Sequence, residues 1–351
     1  MGGTVAALLA GPHRNDEVFV PGAGPQGGEF YLPYGLIRDE LRHYGIELHT
    51  ADVCGEADVA FELHVNAQRQ VPDRPAYAYL YEDPLVRPRN AQAAVLARYR
   101  RCFTWNEEVV DGHRVFKLDI PNELSHPPFP GWDERDLFCV MIASNKALLR
   151  PDPRGLHHRR VRTARHFEAH APELFSLYGA GWDQPGVRPG VWGRAFKRLH
   201  EWRARLMPGP PAFPSWKGRL DSKTETLRRA RFSIAYENVR GSRGYITEKI
   251  FDCFVHGCIP VYLGTPGATA GIPADCFVDA DRFGSEAALL DHLRGIDRER
   301  HAAMQASITA FLDSPAAQRY TRHFFARTLV EGIASDLGLQ RTLSRELDTS
   351  T

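Results

Sequence analysis

RFSIAYENVRGSRGYITEKIFDCFVHGCIPVYLG, residues 231–264, changes its hydrophobic period twice. Phe232, Ile234 and Tyr236 alternate with Ser233 and Ala235, the period-2 pattern of a strand. Residues 238–246 are polar and carry Gly241 and Gly244, which permit a tight turn. From Thr247 onward, Ile250, Phe251, Phe254 and Val255 trace one face of a helix, and Gly257 stands where a C-terminal cap belongs. Residues 258–263 then form a short apolar run of the kind buried in parallel sheets. The stretch predicts one βαβ unit. It puts Glu248 and Lys249 in the first turn of a helix at the C-terminal edge of a parallel sheet, where open α/β sheets bind ligands. A lysine this early in a helix opposes the helix dipole, a conflict that an anionic ligand such as phosphate removes. An isolated Thr-Glu-Lys would instead read as solvated surface; its βαβ setting argues against that.

The alternation extends in both directions. Residues 5–9, 46–50, 59–65, 76–81 and 102–105 read as strands, and residues 31–43 and 91–99 as helices. Residues 121–132 contain Pro121, Pro127, Pro128 and Pro130 and read as a linker. A second series follows, with strands at 137–143, 174–178 and 277–279. Its helices fall at 157–170, 192–206, 220–230, 285–294, 299–312 and 317–337. Residues beyond 337 are polar and read as a frayed tail. The fold class predicted is α/β, two doubly wound parallel-sheet domains. The boundaries are 1–125 for the first and 133–316 for the second, with 317–351 forming a terminal helix and tail.

The chain has 351 residues, a net charge of +1 and 25% charged residues, which gives no electrostatic reason to expect nucleic acid as a partner. Six scattered cysteines form no C-x-x-C pair, so no zinc site is expected and the thiols read as buried and reduced. No run approaches the length of a membrane helix, and residues 4–10 read as a first strand rather than a signal peptide. The expectation is a cytoplasmic protein with at most peripheral contact at the inner face of the cytoplasmic membrane. No G-x-G-x-x-G follows an early strand, which argues against a dinucleotide-dependent dehydrogenase.

Tyr236-Glu237-Asn238, then Gly244-Tyr245-Ile246-Thr247-Glu248-Lys249, then Ile259-Pro260-Val261-Tyr262-Leu263-Gly264 resemble the signature of glycosyltransferase family 10, the α-1,3-fucosyltransferases, of bacterial type. Tyr236 stands where the family usually has Phe. The resemblance implies a GT-B fold, with two Rossmann-like domains facing a cleft, the second holding a nucleotide sugar, and a terminal helix packing back on the first domain. It implies an inverting transfer of fucose from GDP-fucose to a hydroxyl of a glycan acceptor, in surface polysaccharide or lipopolysaccharide decoration. Neither a cofactor nor a metal is expected. The same machine with another nucleotide sugar, or a non-catalytic nucleotide-sugar-binding protein, remains open.

Transfer requires a base for the acceptor hydroxyl and cations for the departing diphosphate. Glu82 follows the strand at 76–81 and matches the glutamate of a Glu-Ser-Pro-like tripeptide that carries the family's general base. Its neighbour Asp83 replaces a small residue and is a second carboxylate beside it; Glu-Asp-Pro is also ordinary turn chemistry. Lys249 is the first candidate cation. Arg160, followed by Thr163, Ala164 and Phe167, resembles a family arginine downstream of a Ser-Asn pair, here Ser144-Asn145. Arg159, Arg162 and Arg165 leave that register open. Glu248, Asn238 and Tyr245 are assigned to donor binding, with supporting roles for Asn145, Tyr178 and Thr247. Asp279-Ala280-Asp281 has the D-x-D form of metal-dependent glycosyltransferases of another fold, but follows a late strand and reads as a strand-end loop.

Overall fold

The computed structural model describes residues 4–20, 32–55, 58–146, 148, 152–183, 199, 202, 212–220 and 222–341. The helix expected at 192–206 falls almost wholly outside them, as does the tail beyond residue 341. The chain divides into two compact units, Met1–Asn122 with Gln318–Thr351, and Glu123–Ala317.

The first unit opens with β1 (Thr4–Leu9), α1 (Leu32–Arg42), β2 (Ile46–Thr50), α2 (Ala51–Cys54), β3 (Val59–Val65) and β4 (Ala76–Leu80). Then come α3 (Ala93–Leu96), β5 (Arg101–Thr104) and β6 (Val115–Lys117). All six strands are parallel, in the order β2-β1-β3-β4-β5-β6. Strand β4 is buried along its whole length, as a central parallel strand covered on both faces must be.

The second unit runs β7 (Leu137–Ile142), α4 (His157–His170), β8 (Phe175–Tyr178), α5 (Lys223–Arg229) and β9 (Ala230–Tyr236). It continues with α6 (Glu248–Phe254), β10 (Ile259–Leu263), β11 (Val278–Asp279), α7 (Glu286–Gly295) and α8 (Arg298–Leu312). Its five strands are also parallel, in the order β11-β10-β9-β7-β8. The order reverses between β7 and β9, so a crevice opens beyond the carboxyl ends of those two strands. The 231–264 stretch is the predicted βαβ unit. Strand β9 pairs with β10 from Phe232↔Ile259 to Tyr236↔Leu263, and the loop glycines Gly241 and Gly244 both have positive φ.

The chain then returns to the first unit as α9 (Arg322–Leu337). Phe325, Leu329, Val330 and Ile333 of α9 share one buried cluster with Tyr34, Ile37 and Leu41 of α1 and Leu8, Phe61 and Tyr77 of the sheet. The first unit's core is therefore closed by residues some 200 positions away from its sheet in sequence, roughly the length of the second unit.

Three local differences from the sequence pattern have physical causes. The helix expected at 91–99 is a single turn, Ala93–Leu96, and the extended backbone of Gln92 (φ −86°, ψ 107°) delays its start. The helix expected at 317–337 begins only at Arg322. Thr321 is extended and its side chain accepts the N–H of Phe324, which caps a fresh start after a 3-10 segment, Pro315–Tyr320. Strand β6 went unseen because three residues show no period.

Two predictions follow from the packing. Replacing a helical glycine with alanine ordinarily stabilises by up to about 1 kcal/mol. A Cβ on Gly332 of α9, however, would lie 2.7 Å from the Phe103 ring. Gly332→Ala should therefore lower the melting temperature, and a rise would show that the helix is not held against β5. His301 of α8 is fully buried. Burial, reinforced by Arg135, pulls its pKa down to about 4. The unfolded chain takes up this proton near pH 6.5 and the folded one only near 4. Denaturation of the second unit should show stability falling as pH drops through that window, and His301→Gln should flatten the fall.

Candidate active site at the strand-order reversal

Helix α4 turns Arg160, Thr163, Ala164 and Phe167 inward, at i, i+3, i+4 and i+7. Arg162 is exposed, Arg165 pairs with Glu168 at 2.9 Å, and Arg159 reaches Glu286 at 3.6 Å. Of these four arginines, Arg160 is the one delivered to the end of β9. Its Nη2 donates to the Tyr236 carbonyl (2.5 Å) and to Asn238 Oδ1 (3.0 Å). It is 5% exposed, and no carboxylate lies within ion-pair distance of it among the described residues.

Arg135 offers an internal contrast. It is fully buried and also lacks a carboxylate, but four hydrogen bonds to the carbonyls of Pro130, Leu227, Ala230 and His256 occupy its guanidinium. Arg160 has two such bonds, both on one nitrogen. Burial pulls the Arg160 pKa down, while Glu237, Tyr245 and Glu248 act in the opposite direction. Asn238, Tyr245 and Glu248 thus share a neighbourhood with Arg160.

The start of α6 is organised by a residue the sequence reading passed over. Glu237, the first residue beyond β9, is fully buried. Its Oε1 accepts the Thr247 N–H and its Oε2 the Thr247 hydroxyl, each at 2.8 Å. Lys249 Nζ donates to Thr247 Oγ1 and Glu248 Oε1, each at 3.0 Å, and lies 3.6 Å from Glu237 Oε2. The lysine that opposes the helix dipole is therefore compensated by two carboxylates of the chain itself. Burial pushes the Glu237 pKa up and Glu248 adds to this, with Lys249 working against both. Burial also disfavours ionisation of Glu248, but Lys249 and Lys223 outweigh it and hold its pKa at about 2. For Lys249 the two carboxylates outweigh burial and raise the pKa.

A cavity of about 30 Å³ lies at this reversal point. Ile142 and Ala143 beyond β7, residues 233–236 of β9, and Arg160, Lys223, Lys249 and Asp252 line it. Lys223, the first residue of α5, forms an ion pair with Asp252 of α6. Lys223 was invisible as a site residue because its sequence position is one basic residue in a basic helix.

The supporting residues tie strand ends together. Asn145 donates to the Gly181 carbonyl and its Oδ1 meets His157 Nε2 at 2.7 Å. Tyr178 is half-buried against the cluster around Val140 and Leu227. Gly179, just after it, has φ +122°, and a Cβ there would lie 2.0 Å from the Ala143 carbonyl oxygen, so only glycine fits. Asp281 of the D-x-D triplet forms a bidentate pair with Arg240, and Asp279 accepts the Asp281 N–H.

In the first unit, Glu82 follows β4. Its backbone is held on both sides: its N–H donates to Asn66 Oδ1 and its carbonyl accepts from Asn90 Nδ2, each at 2.8 Å. Asn66 adopts φ +67°, and Asn90 also donates to its Oδ1. Asp83 is 1% exposed, and its Oδ1 accepts the Leu85 N–H, so this carboxylate builds the turn after Glu82.

Two parallel sheets, the second with a cation-lined crevice at a strand-order reversal, define a doubly wound α/β protein. Residues 193–305 match the model of glycosyltransferase family 10 (fucosyltransferase), C-terminal part. The human α-(1,3)-fucosyltransferase 7 is 43% identical over 79 residues, 22% of this chain and 23% of that protein. The Helicobacter pylori α-(1,3)-fucosyltransferase FucT is 30% identical over 83 residues, 24% of this chain and 17% of that one. The matches thus span about a fifth of the length of these relatives. A glycosyltransferase from Rickettsia africae superimposes with a TM-score of 0.56 over 96% of this chain and 99% of its own, at 9% identity. The fold class is GT-B.

Removing a charge from the Glu237 cluster tests this geometry. Glu237→Gln deprives Thr247 and Lys249 of a common buried acceptor and should lower the stability of the second unit by about 3 kcal/mol in denaturant titration. A loss under about 0.5 kcal/mol, the scale of an ordinary surface change, would contradict it.

Proposed function

We propose that the chain is a fucosyltransferase that moves fucose from GDP-fucose to a hydroxyl of a glycan acceptor, with inversion and without a divalent metal. Arg160 carries the reading. A buried guanidinium with neither a carboxylate nor a full set of carbonyl acceptors is costly unless a further acceptor completes it, and its planar fork suits a phosphate. The family match across residues 193–305 includes Asn238, Tyr245, Glu248 and Lys249 and supports the choice of donor class.

In this proposal Glu82 takes the acceptor proton, and the acceptor oxygen attacks the anomeric carbon of fucose from the face opposite the nucleotide. The bond from that carbon to the β-phosphate oxygen breaks. The electron pair leaves with GDP, whose charge Arg160 and Lys249 stabilise. Glu248, Asn238 and Tyr245 orient the donor. The clamp of Asn66 and Asn90 on the Glu82 backbone supports the assignment of Glu82, since a base must be held in place to be effective. The acceptor is assigned to surface polysaccharide or lipopolysaccharide, met from the cytoplasmic side with at most peripheral membrane contact. Among the described residues no helix is long and apolar enough to cross a membrane.

The test is incubation of the purified protein with a panel of nucleotide sugars and a glycan array, read by mass spectrometry. GDP-fucose should label a subset of glycans. Preference for another donor would overturn the sugar assignment, and donor binding with neither transfer nor hydrolysis would overturn catalysis. Glu82→Gln should lower turnover by about 10²–10⁴-fold with GDP affinity retained; near-normal turnover would remove the base role.

A further inference from the structure

The cavity at the strand-order reversal has an unbalanced lining. Three cationic side chains, Arg160, Lys223 and Lys249, face it, against one carboxylate, Asp252. Glu237 and Glu248, which compensate Lys249 at the start of α6, do not line it. The remaining walls are Ile142, Ala143 and Leu227 with neutral residues of β9 and α6. Lys249 is compensated by Glu237 and Glu248 and Lys223 by Asp252, so Arg160 is the cation at the void without an ion-pair partner among the described residues. A volume of about 30 Å³ holds about two water-sized groups. That suits the free oxygens of a phosphate and is far too small for a nucleoside.

Lys223 is the member of this lining with no assigned role. It sits on α5, the helix immediately before β9, and lines the cavity. Its ammonium has one partner among the described residues, Asp252, so two of its three N–H groups are uncommitted. Its side chain is 45% exposed, and its pair with Asp252 raises its pKa. Asp252 has no other side-chain partner among the described residues, and it sits one helical turn beyond Glu248 and Lys249, so it brings Lys223 to the same wall as Lys249.

We propose that Lys223, whose ammonium also pairs with Asp252, is a third phosphate-binding cation of the donor site, and that it binds an oxygen of the nucleotide's diphosphate beside Arg160 and Lys249. This rests on the reading of the crevice as a nucleotide-sugar site. The two members of the pair should then act in opposite directions on phosphate affinity, because Lys223 attracts the anion and Asp252 both repels it and competes for the ammonium. A merely structural ion pair would respond alike to loss of either partner.

The test is calorimetric titration of the full chain with GDP and with guanosine, at two salt concentrations. Lys223→Gln should weaken GDP binding by about 10-fold or more, the scale of one charge-assisted hydrogen bond, and leave guanosine affinity unchanged. Its GDP affinity should also depend less steeply on salt. Asp252→Asn should bind GDP at least as tightly as the unaltered chain. Lys223→Arg, which keeps the charge, should stay within about threefold of it, and stands in if Lys223→Gln does not fold. GDP affinity unchanged in Lys223→Gln, or weakened equally in Lys223→Gln and Asp252→Asn, would overturn the role of Lys223 and leave the nucleotide reading standing. An unaltered chain that does not bind GDP would overturn that reading and the role of Lys223 with it.

Discussion

A guanidinium held in the interior with no carboxylate beside it is the constraint around which the second unit is arranged. Desolvating such a charge costs several kcal/mol unless partners restore what water supplied. The chain partly restores it through the carbonyl of Tyr236 and the amide oxygen of Asn238. Both partners belong to the end of β9, so the charge of Arg160 also fixes where α4 meets the sheet. Arg135, with four of its five N–H groups on backbone carbonyls, shows that this fold can satisfy most of a buried guanidinium by backbone alone. Among the described residues, Arg160 keeps Nε and Nη1 without a protein partner at the point where the strand order reverses, and in the proposed function an anion meets them there.

Around that cation the fold supplies a fixed electrostatic frame. Glu237 joins the end of β9 to the start of α6 through the Thr247 backbone and hydroxyl, and it compensates Lys249. A lysine held in this way is oriented before any ligand arrives, and preorganised charge stabilises a developing anion at no reorganisation cost. Asn66 and Asn90 fix the Glu82 backbone in the first unit by a comparable device, using neutral amides where the second unit uses ions. Both devices hold a side chain to which the proposed function gives a role, Glu82 just after β4 and Lys249 in the first turn of α6.

Much of this was legible in the sequence because burial writes itself into periodicity. The change from period 2 to a helical face and back identified β9, α6 and β10, and alternation along the rest identified two parallel sheets. Where the pattern failed, the cause was tertiary or too short to register. Gln92 and Thr321 delay the start of helices that their neighbours' spacing would begin earlier, and the three residues of β6 carry no period. The motif 244–249 marked the start of α6, but not the residue that holds it. Glu237 looks like a spacer between strand and loop until its two bonds to Thr247 are seen. Its signal was a carboxylate directly after a strand that is buried almost throughout. Lys223 carried no such signal, since only the pairing of α5 with α6 brings it to the cavity. The choice among Arg159, Arg160, Arg162 and Arg165 likewise needed the rotation of α4 about its axis.

The account turns on an anion completing the charge of Arg160. The most direct measurement is a diffraction structure of the protein with bound GDP. The account predicts a phosphate oxygen within hydrogen-bonding distance of the Arg160 guanidinium, at the crevice between the ends of β7 and β9. A nucleotide bound elsewhere, with Arg160 touching only Tyr236 and Asn238, would contradict it.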